Sequence, residues 1–230
     1  MSQLNLNLTL YTYFRSSCSC RIRTACHLKA IPLTYEYVNL LADEQKSEAY
    51  IDRVNPSGLV PTLVVKDDVS GRTLATITQS IAMLEFLEEA FPMSRRLLPS
   101  AGQALLRARV RELVDIVACD VQPTTNLRIL RRVNGLGVTS VEWFREMIGL
   151  PLAGYERILE ETAGKYSVGD EVTLADVCLA PAVENAVRWE VDLSNFPNVV
   201  RVFDAVKVLP EFVKGDWRHQ DDTPEALRAP

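Results

Sequence analysis

The chain has 230 residues, 47% hydrophobic and 24% charged, with a formal net charge of −5. That is globular composition with enough length for a real core, which excludes disorder. The acidic balance excludes a nucleic-acid surface, which needs clustered Lys and Arg, and no apolar run approaches the ~20 residues of a membrane-spanning helix.

The chain opens on MSQLNLNLTLYTYF, which alternates polar and apolar residues and carries no basic residue before Arg15. This is the pattern of a strand and not of a signal peptide. LNLTLYTY (6–13) puts Leu6, Leu8 and Leu10 on one face. From Cys18 to Ala30 the apolar positions Ile22, Ala25, Cys26 and Ala30 recur at helical spacing, and Pro32 ends the helix. LTYEYVNL (33–40) reads as a second strand, and a charged segment with a short helix around 46–53 follows. TLVVK (62–66) and RTLATIT (72–78) are strands three and four, joined by the turn residues DDVSG. Gln79 to Phe91 is a helix with Ile81, Leu84, Leu87 and Phe91 on one face.

The composition changes at about residue 92, where two prolines, a glycine and two serines mark a linker. Beyond it no strand is evident. Leu106, Val110, Leu113 and Val117 form a helical stripe that Pro123 kinks or ends. Trp143 to Thr162 is a helix interrupted by GLP (149–151), and 174–187 and 199–209 are further helices. The expected fold is α/β followed by all-α, with domains at 1–92 and 102–230 and a linker at 93–101. VTLADV (172–177) is a capping box: Thr173 is the N-cap, and Asp176 reaches back to its N–H.

Cysteine usage adds a compartment. Cys18, Cys20, Cys26, Cys119 and Cys178 are odd in number and irregular in spacing, which argues against a disulfide framework and for a reducing, cytoplasmic setting. Cys119 and Cys178 read as small buried hydrophobes. His27 and His219 are the only histidines. No His/Cys spacing suits zinc, so no metal is expected.

SSCSCRIRTA (16–25) carries the functional question. A dithiol redox pair uses C-x-x-C, and this is C-x-C. A serine at the helix start is an N-cap in any case. Two further segments bear on it. In NPSGLVPTL (55–63), a cis Val60–Pro61 bond would aim the Val60 N–H and C=O away from the sheet, toward an extended peptide. In TQS (78–80), Gln79 and Ser80 open a helix whose N-terminus can receive a carboxylate. Together the three describe a pocket with walls for a backbone, a carboxylate and whatever lies at Ser16 to Cys18.

The β-α-β-α-β-β-α order, Val60–Pro61 and Gln79–Ser80 resemble the thioredoxin-like glutathione-binding domain of glutathione transferases. The helical half, with its Thr173–Asp176 box, resembles their C-terminal helical domain. SSCSCRIRTA is similar to the zeta-class signature S-S-C-x-(W/H)-R-V-R-I-A. The resemblance covers essentially the whole chain, continuing through QPTTNL (122–127), VGDEVTLADVCLAP (168–181), ENAVRWEVDL (184–193) and DDTPEALR (221–228).

The resemblance implies glutathione as cofactor and cis–trans isomerisation of maleylacetoacetate to fumarylacetoacetate, a step of phenylalanine and tyrosine breakdown. The alternative is general glutathione transfer to α-halo acids or other small electrophiles. It implies that Ser16 hydrogen-bonds the glutathione sulfur and that Ser17 and Cys18 sit beside it, Cys18 tuning turnover without acting as nucleophile. Val60, held by Pro61, would pair with the cysteinyl backbone of glutathione, and Gln79 and Ser80 would take its γ-glutamyl carboxylate. Lys46 would hold the glycyl carboxylate. Gln122 and Asn126 match a glutathione-side segment, and Arg188 falls on an arginine linked to the carboxylate of an anionic substrate. A homodimer is implied as well, with no nucleic-acid or membrane partner. Cys20 stands where the class has Trp or His, and Thr24 replaces an aliphatic residue; both bear on substrate preference more than on glutathione binding.

Overall fold

The computed structural model describes residues 6–229, so the first five residues of the opening segment lie outside the described residues. The chain forms two compact units. The first runs through Arg96 and resumes from Pro210; the second is Leu97–Leu209.

The first unit contains β1 (Leu6–Thr12), α1 (Ser17–Leu28), β2 (Thr34–Tyr37), α2 (Glu48–Arg53), β3 (Thr62–Asp67), β4 (Thr73–Ile77) and α3 (Ser80–Ala90). The sheet order is β2-β1-β3-β4. The crossover through α1 makes β2 parallel to β1, whereas β3 runs antiparallel to both β1 and β4. A tight turn closes the β3–β4 hairpin, with Asp67 N–H donating to the Arg72 carbonyl at 2.9 Å and Gly71 at φ +67°. The alternation read from the sequence is the burial pattern: Leu8, Leu10, Leu63 and Val65 are buried, and Leu10 lies opposite Leu63.

Register decides what the sheet assembles. Tyr11, near the end of β1, pairs with Thr62 at the start of β3, and Leu63 pairs with Ile77 at the end of β4. The β1–α1 turn, the loop into β3 and the start of α3 therefore emerge at one end of the sheet.

The tail departs from the sequence expectation that all of 102–230 belongs with the helical half. α10 (Pro210–Gly215) and the turns after it belong to the first unit. Gly215 backs onto α1, where a Cβ would stand 3.1 Å from the Thr24 Cα. The expected linker also differs, since Leu97 and Leu98 are buried and the Leu97 carbonyl accepts from Leu174 N–H at 2.8 Å within the second unit.

The second unit is helical: α4 (Ala104–Asp115), continued by π-type turns over Ile116–Val121, then α5 (Gln122–Thr125), α6 (Leu127–Asn134), α7 (Ser140–Thr162), α8 (Leu174–Arg188) and α9 (Pro197–Lys207). Pro123 lies in the first turn of α5, where its missing N–H is not needed. The expected break at GLP is absent. α7 runs unbroken through Pro151, because Phe144, Ile148, Leu152, Tyr155 and Leu159 bury one continuous face and outweigh the lost hydrogen bond.

Two buried carboxylates cap helices in this unit. Asp176 accepts from Thr173 N–H at 2.7 Å and Ser167 N–H at 2.8 Å, while desolvation pushes its carboxyl above the usual range. Glu156, on α7, accepts from the Asn198 and Val199 N–H groups, each at 2.9 Å, at the start of α9. Cys178 is buried as expected, and Cys119 is exposed.

Candidate active site

Ser16 is the N-cap of α1, with φ −70° and ψ 112°. Its Oγ accepts from Ser19 N–H at 3.1 Å. Ser16 N–H donates back to the Tyr13 carbonyl at 2.9 Å, so the chain turns sharply between β1 and α1. With one oxygen lone pair committed to the cap, the Ser16 O–H remains a donor at the positive end of a twelve-residue helix. Ser17 and Cys18 are half-buried in the same first turn.

Arg21 and Arg23 are buried, 2% and 0% exposed. Arg21 Nη1 donates to Ser80 Oγ at 3.1 Å, tying α1 to the start of α3. Arg23 turns back under its own helix start, to Thr12 Oγ1 at 3.0 Å and the Phe14 carbonyl at 3.1 Å.

The second wall is the loop before β3. The Val60–Pro61 bond is cis. Asn55 is fully buried and braces the loop, its Nδ2 donating to the Leu59 carbonyl at 2.9 Å and to Thr62 Oγ1 at 3.0 Å. The Tyr50 hydroxyl donates to the same Leu59 carbonyl at 2.8 Å. Gly58 adopts φ +59°, and a Cβ there would stand 3.1 Å from the Gln45 carbonyl.

The third wall is the start of α3. Gln79 is its exposed N-cap and makes no capping hydrogen bond, and the first turn holds no acidic residue. Ser80 follows, buried, and its hydroxyl accepts from Arg21. This helix end is open to an anion. Ser16, Ser17, Cys18, Val60, Pro61, Gln79 and Ser80 thus belong to segments that leave the same end of the sheet.

Lys46 pairs with Asp43. Its ammonium lies 3.2 Å from the Asp43 carboxylate, and its side chain is 61% exposed. Its neighbour Gln45 is buried, with an Oε1 that has no hydrogen-bond partner among the described residues. Nothing in the sequence distinguishes the two, because a short 3₁₀ turn over Glu44–Lys46 sets which one faces inward.

In the second unit, Gln122 is half-buried at the start of α5. The Asn126 side chain is engaged as the N-cap of α6, accepting from Ile129 N–H at 3.1 Å and donating to the Pro123 carbonyl at 2.8 Å. Arg188 is exposed at the end of α8, its guanidinium 5.0 Å from the centre of the Trp189 ring. Trp189 stacks on Phe144 at 5.5 Å, and the Trp143 indole donates to the Thr124 carbonyl, so both tryptophans serve packing. Arg128, Arg131 and Arg132 are exposed on α6.

None of the five cysteines is in a disulfide. Burial pushes the Cys20 thiol up, and it pushes Cys26 up to about 12. The raised Cys20 thiol counts against Cys20 as the redox partner of Cys18 in the C-x-C stretch.

Residues 15–90 match the N-terminal domain of glutathione S-transferases, and residues 139–214 match their C-terminal domain. The maleylacetoacetate isomerase of Aspergillus fumigatus is 50% identical over 222 residues, 96% of this chain and 95% of that protein. The chain belongs to the maleylacetoacetate isomerase family of glutathione S-transferases. Within this family, the maleylacetoacetate isomerase of Anaeromyxobacter dehalogenans, with glutathione in its active site, matches with a TM-score of 0.86 at 39% identity, over 96% of this chain and 100% of that one. The same protein with dicarboxyethyl glutathione and citrate in its active site matches with a TM-score of 0.85 at 38% identity, over 96% and 99%. A bacterial maleyl pyruvate isomerase of the zeta class matches at 0.85 and 36%, over 94% and 100%. The zeta-class likeness of SSCSCRIRTA and the two-part fold both accord with membership of this isomerase family.

Proposed function

We propose that the chain is a glutathione-dependent cis–trans isomerase that converts maleylacetoacetate to fumarylacetoacetate, with glutathione transferase activity on the same pocket. The observation that carries this reading is the Ser16 hydroxyl, whose oxygen accepts the cap bond and whose O–H is left to donate at the start of α1. The residues present suit glutathione. An unpartnered buried Gln45 Oε1 offers an acceptor, and the uncapped start of α3 offers a carboxylate receptor at Gln79 and Ser80. Val60 would present its backbone to the cysteinyl residue, and Lys46 would hold the glycyl carboxylate, since its ammonium is a donor whereas the open Gln45 Oε1 can only accept.

When bound, glutathione supplies a sulfur nucleophile that can add to a carbon–carbon double bond and leave it again. The chain's part is to hold that sulfur ionised. Ser16 donates a hydrogen bond, and the dipole of α1 favours the anion. Cys18 borders the position without serving as nucleophile. On the resemblance to the family, Arg188 binds a substrate carboxylate, Ser17 orders the first turn, and Gln122 and Asn126 line the glutathione side; the capping bonds of Asn126 leave its amide little freedom for this. The enzyme acts as a cytoplasmic homodimer in phenylalanine and tyrosine breakdown, a setting that five cysteines outside any disulfide support.

The test is an absorbance assay with maleylacetone, with and without glutathione. Isomerisation should require glutathione, and Ser16→Ala should lower kcat by about 10- to 100-fold, the worth of one charge-assisted hydrogen bond. Ser16→Thr, which keeps both cap and donor, should retain most activity. Full activity in Ser16→Ala would remove Ser16 from the mechanism. Glutathione binding without isomerisation would move the assignment to conjugation of another electrophile.

A further inference from the structure

The turn that delivers Ser16 is held from a distant part of the chain. Phe14 N–H donates to Asp222 Oδ2 at 2.8 Å, across 208 positions of sequence. The Phe14 carbonyl accepts from Arg23 Nη2 at 3.1 Å, and Arg23 Nε donates to the Gly215 carbonyl at 3.0 Å. Both backbone groups of Phe14, two residues before Ser16, are thus fixed by the C-terminal tail or by an arginine that the tail anchors.

The tail is itself rigidly built. Gln220 Nε2 donates to the Lys214 carbonyl at 2.9 Å, and the Thr223 hydroxyl donates to the Trp217 carbonyl. Arg228 Nε donates to the Thr223 carbonyl at 2.9 Å, and its Nη2 to the Asp221 carbonyl at 2.7 Å. Asp222 sits between these braces, so its carboxylate is placed before it meets Phe14. Its other oxygen, Oδ1, is buried with no hydrogen-bond partner among the described residues. A carboxylate half-satisfied in this way is a costly tail anchor. Its one strong bond goes to the backbone that sets where α1 begins.

We propose that Asp222 is a positioning residue for the thiolate site: the tail acts as a strap that fixes Phe14, and through it the Ser16 hydroxyl. This rests on the reading of Ser16 given above. A displacement of the Ser16 oxygen by a fraction of an ångström weakens a charge-assisted hydrogen bond without removing the glutathione backbone contacts, which lie on other segments. The effect should therefore fall on ionisation and turnover and spare binding.

The experiment uses the full chain with glutathione itself as probe. The ionisation of bound glutathione is followed by ultraviolet thiolate absorbance against pH, beside kcat, KM for glutathione and thermal unfolding. The variants are Asp222→Leu, which fills the volume without an acceptor, and Asp222→Asn, which keeps one. Asp222→Leu should raise the bound thiol pKa by about one unit, which is tenfold less thiolate well below that pKa, and lower kcat accordingly with KM nearly unchanged. Asp222→Asn should restore both. A wild-type chain with no thiolate shift would overturn the Ser16 reading and the strap together. A wild-type shift that persists in Asp222→Leu would overturn the strap alone, as would an Asp222→Asn chain that folds but behaves like the leucine variant.

Discussion

Asn55 and Tyr50 converge on one short loop, and the geometry makes their contributions interdependent. Asn55→Ala removes two donor bonds, to the Leu59 carbonyl and to Thr62 Oγ1, from a fully buried position. At about 0.5–1.5 kcal/mol net for each bond, plus the small void left behind, the loss should be about 2–4 kcal/mol. Tyr50→Phe removes the 2.8 Å bond to the same carbonyl and a longer 3.4 Å contact with Thr62 Oγ1, and should cost about 1 kcal/mol. Either variant leaves the Leu59 carbonyl with one donor; the double variant leaves it with neither, and it also strips both partners from the buried Thr62 hydroxyl. The pair should therefore cost about 1–2 kcal/mol more than the sum. Urea unfolding of the four proteins measures this, since a slope near ~3 kcal/mol/M turns a 3 kcal/mol loss into a midpoint shift of about 1 M. Because the loop carries Val60, Asn55→Ala should also raise KM for glutathione more than it lowers kcat. Additivity within about 0.3 kcal/mol would refute the argument that the two side chains share their acceptors.

Gly58→Ala forces a side chain into the left-handed region and toward the Gln45 carbonyl, so it should cost about 1–2 kcal/mol in urea unfolding; a neutral result would mean that the loop relaxes freely. Glu156→Ala should destabilise by about 3–5 kcal/mol, because the Asn198 and Val199 N–H groups lose their shared acceptor at the start of α9. Glu156→Gln should cost less than half as much if its remaining oxygen keeps one of these donors, and an equal loss would show that charge, not hydrogen bonding, is what counts. A brief exposure to iodoacetamide at neutral pH should label the exposed Cys119 well before Cys20 or Cys26, whose thiols burial pushes up. Peptide mapping that finds early adducts on Cys26 in the folded protein would contradict that order.

What the sequence made legible was local. The alternation in LNLTLYTY, the Asp-Ser-Gly turn between β3 and β4, the helix stripe ending at Pro92 and the Thr173–Asp176 box each state their structure within a few residues. The N-cap at Ser16, the cis Val60–Pro61 bond and the helix start at Ser80 were legible for the same reason, because each is a turn chemistry next to a strand end. What stayed hidden depends on partners far along the chain. Nothing local to Arg21 and Arg23 marks them as buried, since a buried guanidinium is costly without acceptors supplied from elsewhere. Those acceptors come from Thr12, Phe14, Ser80 and Gly215, the last 192 positions away. The six residues of α10 are too few to show a helical period, so its docking on α1 left no trace in the pattern. Pro151 misled in the opposite sense: its local preference is to break a helix, and the buried face of α7 overrides it.

The placement of the tail also bears on how the molecule is made. A ribosome delivers α1 early and Gly215 and Asp222 only after the whole of Leu97–Leu209 has been synthesised. Until then Arg23 lacks one of its acceptors and Phe14 N–H lacks its own. The helical segment, continuous in sequence, can complete its fold during synthesis, whereas the first-made unit waits for the last-made residues. A fragment cut at the boundary near Arg96 would expose a buried cation along with the face of α1, and would be a poor stand-in for the first unit.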